Sequence, residues 1–168
     1  MRLIGMVNTL LLKIATFGVI ISMAIIAIII PYEVFGRYIL NEMTTWSGEV
    51  ATFSLVWATM MGSAVGLRKG YQVGMTSVIE MLPKTYARLV QGIGYLWSIF
   101  FLAIMVYFGT EQASMNYYQT SPGMGIRMII PYSALPIGFF VMLLVTVEDL
   151  LLFLGLGKGQ QPKEEQPC

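Results

Sequence analysis

The sequence predicts an all-α membrane protein built from four transmembrane helices, and three observations carry that reading. Hydrophobic residues fill 57% of the 168 positions and charged residues only 11%, whereas an ordinary soluble domain has about 25% charged residues. A chain so poor in charge cannot cover itself with a polar surface, and it belongs in lipid. The few charges leave four uninterrupted charge-free stretches, residues 14–32, 50–67, 89–110 and 128–147, of 19, 18, 22 and 20 residues. About 20 apolar residues span a bilayer core as a helix, which satisfies its backbone hydrogen bonds internally. The basic residues then alternate in side. Arg2 and Lys13 precede the first stretch, Arg68, Lys69, Lys84 and Arg88 lie between the second and third, and Lys158 and Lys163 follow the fourth. Only Arg37 and Arg127 fall on the opposite side, so the positive-inside rule puts both termini in the cytoplasm.

The first helix is expected over residues 12–34. Its apolar run exceeds the 7–15 residues of a signal peptide and lacks a clean small-x-small cleavage site, so it reads as a retained span. The second is expected over residues 46–68, capped by Thr44 or Thr45, with Glu49 in or near its first turn, where the helix dipole favours an anion. Tyr38 and Trp46 suit the outer membrane interface, where amphipathic rings collect.

Toward its far end this helix carries small residues every fourth position: Ser54, Ala58, Gly62, Gly66, Gly70 and Gly74. Glycine is a poor helix former by about 1 kcal/mol relative to alanine, but a small-xxx-small stripe lets a neighbouring helix approach closely. The stripe is therefore read as a helix-packing face, directed either within the chain or at another subunit. Arg68 and Lys69 continue past it, and with Lys84 and Arg88 they form a cytoplasmic anchor suited to lipid head groups.

Between the second and third helices, "VGMTSVIEMLP" places Val78, Ile79 and Leu82 near one face, consistent with a short interfacial helix. The third span covers residues 88–111. The string "SPGMG" at 121–125 is an external turn. The fourth span covers residues 130–153, with Pro131 suited to a first turn and Pro136 placed to kink it. Residues 1–156 thus form one four-helix membrane domain, and the polar, Pro- and Gly-rich tail 157–168 reads as disordered.

Several functions are set aside on composition. The chain has no histidine, which removes bis-histidine haem ligation, histidine metal sites and histidine general bases. The single cysteine, Cys168, has no intrachain partner, and "EEQPC" is not a prenylation box. Neither a basic patch with interleaved aromatics nor a phosphate-cradling loop is present, so nucleic acid is not an expected partner, no cofactor is expected, and the chain does not read as an enzyme.

Two groups of charges need an account. Arg37 and Glu49 lie on the same outer side, and the intervening connection can fold back, so a structural ion pair across the ends of the first two helices is expected. Separate snorkelling of both to water is the plainer alternative, and a coupling carboxylate at Glu49 the sharper one. Glu148 and Asp149 fall at the cytoplasmic end of the fourth span, where the dipole disfavours anions. The nearby bases Arg68, Lys69, Lys84 and Arg88 would compensate them in a salt-bridged rim.

The order of these features resembles a known family. "RY" at Arg37 and Tyr38 is followed by Trp46 and Glu49, a tryptophan-containing span closing on "GLRK", and "LP" at Leu82 and Pro83. Then come "SP" at Ser121 and Pro122 and "YSALPIG" from Tyr132 to Gly138. Over roughly residues 10–155 this is similar to the small permease subunit of tripartite ATP-independent periplasmic (TRAP) transporters, the DctQ type. Gln72 departs from it, standing where a further basic or histidine residue is expected. The resemblance implies a multi-pass inner-membrane scaffold for a large permease subunit of the DctM type. It implies docking of a periplasmic, DctP-type binding protein on the assembled permease, phospholipid contacts, and sodium-driven import of an organic acid such as a C4-dicarboxylate or sialic acid. Two rivals remain: a self-contained small four-helix transporter, which would need a carboxylate deep in the bilayer, and a scaffolding subunit of an unrelated membrane complex.

Overall fold

The computed structural model describes residues 2–40, 45–68 and 84–154. Four long helices and one short one make up the described residues. Helix α1 spans Arg2–Phe35 and runs into a π-helical turn, Gly36–Leu40. Helix α2 is Thr45–Arg68, α3 is Lys84–Met115, α4 is the single turn Ile129–Tyr132, and α5 is Ala134–Phe153. Each expected span is occupied by a helix long and apolar enough to cross a membrane. Lys69, Gly70, Gly74, the segment expected to form an interfacial helix and the tail 157–168 lie outside the described residues, as does the side chain of Lys84.

The helices outrun the spans where nothing stops them. Helix α1 begins at Arg2 rather than at residue 12 because "RLIGMVNTLLL" contains no proline, and its polar side chains find acceptors: the Thr9 hydroxyl donates to the Gly5 carbonyl at 2.7 Å, and the Asn8 amide donates to α5. Its 34 residues reach about 50 Å at a rise of about 1.5 Å each, well beyond a core of about 30 Å. Pro31 lies inside α1 and removes the N–H that would bond the carbonyl four residues earlier. In the fourth span the ring at Pro136 acts similarly. Without its N–H, the Tyr132 carbonyl has no helical partner, and the helix is interrupted at Ser133, between α4 and α5, one turn before the proline itself.

The four long helices stand side by side in the order α1, α2, α5, α3. Helix α2 is flanked by α1 and α5, and α3 packs on the far side of α5; among the described residues α3 approaches neither α1 nor α2. A chain whose large side chains face outward can hold such an open array only through small residues at the seams. The buried apolar positions are mostly alanine, Ala15, Ala58, Ala64, Ala113 and Ala134, joined by Leu102 and Val145, with Val145 the largest fully buried side chain. Lipid removes the hydrophobic drive between helices, so close backbone approach and packing supply the attraction instead.

The small-residue stripe on α2 is only partly a packing face. Ser54 and Ala58 are buried, and a Cβ added at Gly62 would rest 3.9 Å from Val19 of α1, but one added at Gly66 would meet nothing within 4 Å. The reason is helical geometry. Each step of four turns about 40° past a full circle, so three steps from Ser54 to Gly66 carry the stripe about 120° around α2. Closer backbone contacts lie elsewhere. A Cβ at Gly138 of α5 would sit 2.7 Å from the Met60 Cβ and 3.4 Å from Met60 backbone atoms. A Cβ at Gly109 of α3 would sit 3.3 Å from the Pro136 nitrogen.

Candidate functional site at the two ends of the array

The described polar contacts between helices gather at the two ends of the array. At one end, the segment joining α3 to α4 folds into a tight reversal. Thr120 and Arg127 form an isolated antiparallel bridge. The Ser121 N–H donates to the Ile126 carbonyl at 2.8 Å, the Gly125 N–H donates to the Ser121 carbonyl at 2.9 Å, and Gly125 takes a left-handed φ of 67°. This "SPGMG" turn aims its donors at Glu49, just past the opening turn of α2. The Ser121 hydroxyl donates to Glu49 Oε2, the Gly123 N–H donates to Oε1 at 2.9 Å, and the Met124 N–H donates to Oε2 at 3.1 Å. Backbone donors aimed at a carboxylate make charge-assisted bonds, stronger than neutral ones. Gly123 is required by space: a Cβ there would lie 3.0 Å from the Glu49 carboxyl carbon and 3.0 Å from the Thr45 carbonyl.

Glu49 is therefore partnered by the turn and not by Arg37. Among the described residues no ion pair joins Arg37 to Glu49, and Arg37 is exposed within the π-helical turn. The turn supplies three hydrogen bonds to the carboxylate, one from the Ser121 hydroxyl and two from backbone N–H groups; the connection expected to fold back, residues 41–44, lies outside the described residues. At this end α1 and α2 are joined by rings, with Tyr32 and Trp46 centroids 5.9 Å apart. Tyr38 is exposed beside them. On the turn, Arg127 donates to the Tyr117 hydroxyl at 3.0 Å and lies over its ring at 5.2 Å.

At the opposite end, α1, α2 and α5 are tied by one polar cluster. Arg68 Nη1 lies 3.0 Å from Glu148 Oε2 and 3.1 Å from Asp149 Oδ1. Its Nη2 donates to Glu148 Oε1 at 3.4 Å. Asn8, 1% exposed, donates through Nδ2 to the same Glu148 at 2.6 Å and to the Leu144 carbonyl at 3.2 Å. A Cβ at Gly5 would sit 3.3 Å from Glu148 Oε1, so the first turns of α1 press directly on the carboxylate. Of the four bases expected to form the rim, Arg68 supplies these ion pairs. Sequence reasoning missed Asn8, because one asparagine near the start of an apolar helix carries no pattern until α1 and α5 are side by side.

These two ends enclose spans without a charged residue, and no described group of three or more Asp, Glu or Cys side chains could hold a metal ion. Residues 26–155, well over half of the chain, match the family described as tripartite ATP-independent periplasmic transporters, DctQ component. The chain belongs to the DctQ family of TRAP transporter small permease components. It is 22% identical over 142 residues to the ectoine TRAP transporter small permease protein TeaB of Halomonas elongata, covering 83% of this chain and 73% of that protein. It is 24% identical over 149 residues to the sialic acid TRAP transporter small permease protein SiaQ of Vibrio cholerae, covering 86% of both. A third relative, the isethionate TRAP transporter permease protein DctMQ of Oleidesulfovibrio alaskensis, is 25% identical over 137 residues, covering 77% of this chain but 22% of that larger protein. As a DctQ component with four spanning helices, the chain is a multi-pass inner-membrane transport protein.

Proposed function

We propose that this DctQ-type chain is the static membrane scaffold of a sodium-driven TRAP importer of a small organic acid. Its partners are a DctM-type large permease subunit, which carries the substrate and sodium sites, and a DctP-type periplasmic binding protein that docks on the assembled permease. The observation that carries the reading is the distribution of polar groups. An open four-helix array is locked at its two ends, by the Ser121–Gly123–Met124 turn on Glu49 and by Arg68 on Glu148 and Asp149. The spans between carry no Asp, Glu, Lys or Arg over residues 14–32, 50–67, 89–110 and 128–147. Ion-coupled transporters place such groups near the bilayer midplane on discontinuous helices; a scaffold needs rigidity and a broad apolar surface.

Membership in the DctQ family supports a large-subunit partner, and so does the DctMQ relative, in which the matching region is about a fifth of a longer permease. The relatives' names, with ectoine, isethionate and sialic acid, support a small organic acid or zwitterion as cargo. The excess of basic residues on one side supports cytoplasmic termini for the 1–156 domain, with the Glu49 clamp in the periplasm. Tyr38 and Trp46 are outer interface anchors in this orientation, and Arg68, Lys69, Lys84 and Arg88 form the cytoplasmic anchor.

Reconstitution tests the proposal. Proteoliposomes carrying this chain alone, under an inward sodium gradient, should take up no organic acid. Those carrying it with its large subunit, supplied with the loaded binding protein, should. Robust uptake by the chain alone would overturn the scaffold reading.

A further inference from the structure

We propose that the groove between α1 and α2 at the Arg68 end is a binding site for one anionic glycerophospholipid, with its phosphate held between Lys13 and Arg68. The inference rests on the membrane placement of the chain and not on its role in transport.

The groove is open to the surface, has a volume of about 520 Å³ and is lined by Thr9, Lys13, Thr16, Phe17 and Ile20 on α1 and by Arg68 on α2, among others. Residues 9, 13, 16 and 20 recur at helical spacing and form one face of α1. From Lys13 to Ile20 that face runs about 10 Å along the axis, which fits within one leaflet's share of a hydrocarbon core of about 30 Å. Polarity is graded along it. The two cations stand at the end where the charge-free spans stop, and Phe17 and Ile20 line the deeper part. A head group fits the first and an acyl chain the second.

Both cations have donors to spare. Lys13 is exposed and forms no ion pair with any described residue. Arg68 directs both Nη1 protons and one Nη2 proton at Glu148 and Asp149. Among the described residues that leaves the Nε–H and the second Nη2–H without a partner, the side-on edge of the guanidinium, which matches two phosphate oxygens at once. The two carboxylates do not line the groove. Thr9 and Thr16 donate their hydroxyl protons to the Gly5 and Leu12 carbonyls, so the cations must recognise the phosphate. A basic pocket between transmembrane helices is a recurrent form of anionic head-group site.

The test reads bound lipid on the purified full-length chain by native mass spectrometry. The chain is delipidated in detergent and then titrated with dioleoyl phosphatidylglycerol or dioleoyl phosphatidylcholine. One phosphatidylglycerol should remain bound under activation that strips phosphatidylcholine. Lys13→Gln should weaken its retention about fivefold, the effect of one interfacial cation at about 1 kcal/mol, and Lys13→Arg should restore it. Ile20→Trp, which fills the deep end, should abolish retention with both cations in place. Lys13 is exposed and unbonded, so its variants should keep the wild-type thermal midpoint, which is measured alongside. Equal retention of the two lipids, or undiminished binding by Lys13→Gln or Ile20→Trp, would overturn the site. So would competition by glycerol 3-phosphate at the same concentration as the lipid, since the acyl chain would then contribute nothing.

Discussion

The carboxylate of Glu49 accepts the backbone N–H of Gly123 at 2.9 Å, joining the start of α2 to a turn 74 residues further along the chain. With the Ser121 hydroxyl and the Met124 N–H on the same carboxylate, one acidic side chain fixes the connection between α3 and α4. Glu49→Ala and Ser121→Ala should each lower the thermal midpoint of the purified chain, and the double variant should be no worse than the worse single one, because both remove the same contact. Gly123→Ala should match them, since its Cβ would occupy the carboxylate's space. Midpoints from tryptophan fluorescence in detergent measure all four. A coupling role makes a different demand: Glu49→Gln would then assemble normally with the large subunit yet abolish uptake, and we expect uptake to persist.

Arg37 should be energetically independent of Glu49. Its exposed position in the π-helical turn and the three turn donors on Glu49 predict that Arg37→Ala and Glu49→Ala add without coupling in a double-mutant cycle. A clear coupling between them would restore the ion pair that the sequence suggests.

Removing Arg68 should be the most damaging charge change at the other end. Arg68→Met strands two carboxylates against apolar helices, a loss of about 3 kcal/mol or more when such a pair is broken. Asp149→Asn should be mild, because Glu148 keeps Arg68. Asn8→Ala should cost about 1–2 kcal/mol through its bonds to Glu148 and the Leu144 carbonyl. Steric-trap or SDS-unfolding titrations of the reconstituted chain would rank the three.

Gly138 of α5 and Gly66 of α2 should respond oppositely to alanine. Gly138→Ala drives a Cβ to 2.7 Å from Met60 and should destabilise the α2–α5 seam by about 1–3 kcal/mol, the usual range for overpacking. Gly66→Ala meets open space and should be neutral or stabilising by up to about 1 kcal/mol through helix propensity. Thermal midpoints of the two variants, side by side, decide whether the packing face is the α2 stripe or the Gly138 contact.

The number of spans and their approximate positions were determined by the sequence alone, because bilayer thickness converts directly into lengths of charge-free chain, and 14–32, 50–67, 89–110 and 128–147 have those lengths. The DctQ resemblance was likewise legible, since it lies in the order of short motifs along the chain. The compensation of Glu148 and Asp149 by a basic residue could be anticipated from the helix dipole, although not which base: Arg68 is selected because α2 and α5 run alongside each other. Tertiary structure alone decided the partner of Glu49. A carboxylate near a helix start attracts any nearby donor, and only the fold of the "SPGMG" turn puts a hydroxyl and two amides there ahead of Arg37. It also decided which small residues are seams. A stripe spaced by four drifts around its helix, so burial at Ser54 and Ala58 turns to open space at Gly66, and the close approach falls to Gly138, whose neighbour on α2 follows from where the two helices cross, not from the pattern of either one.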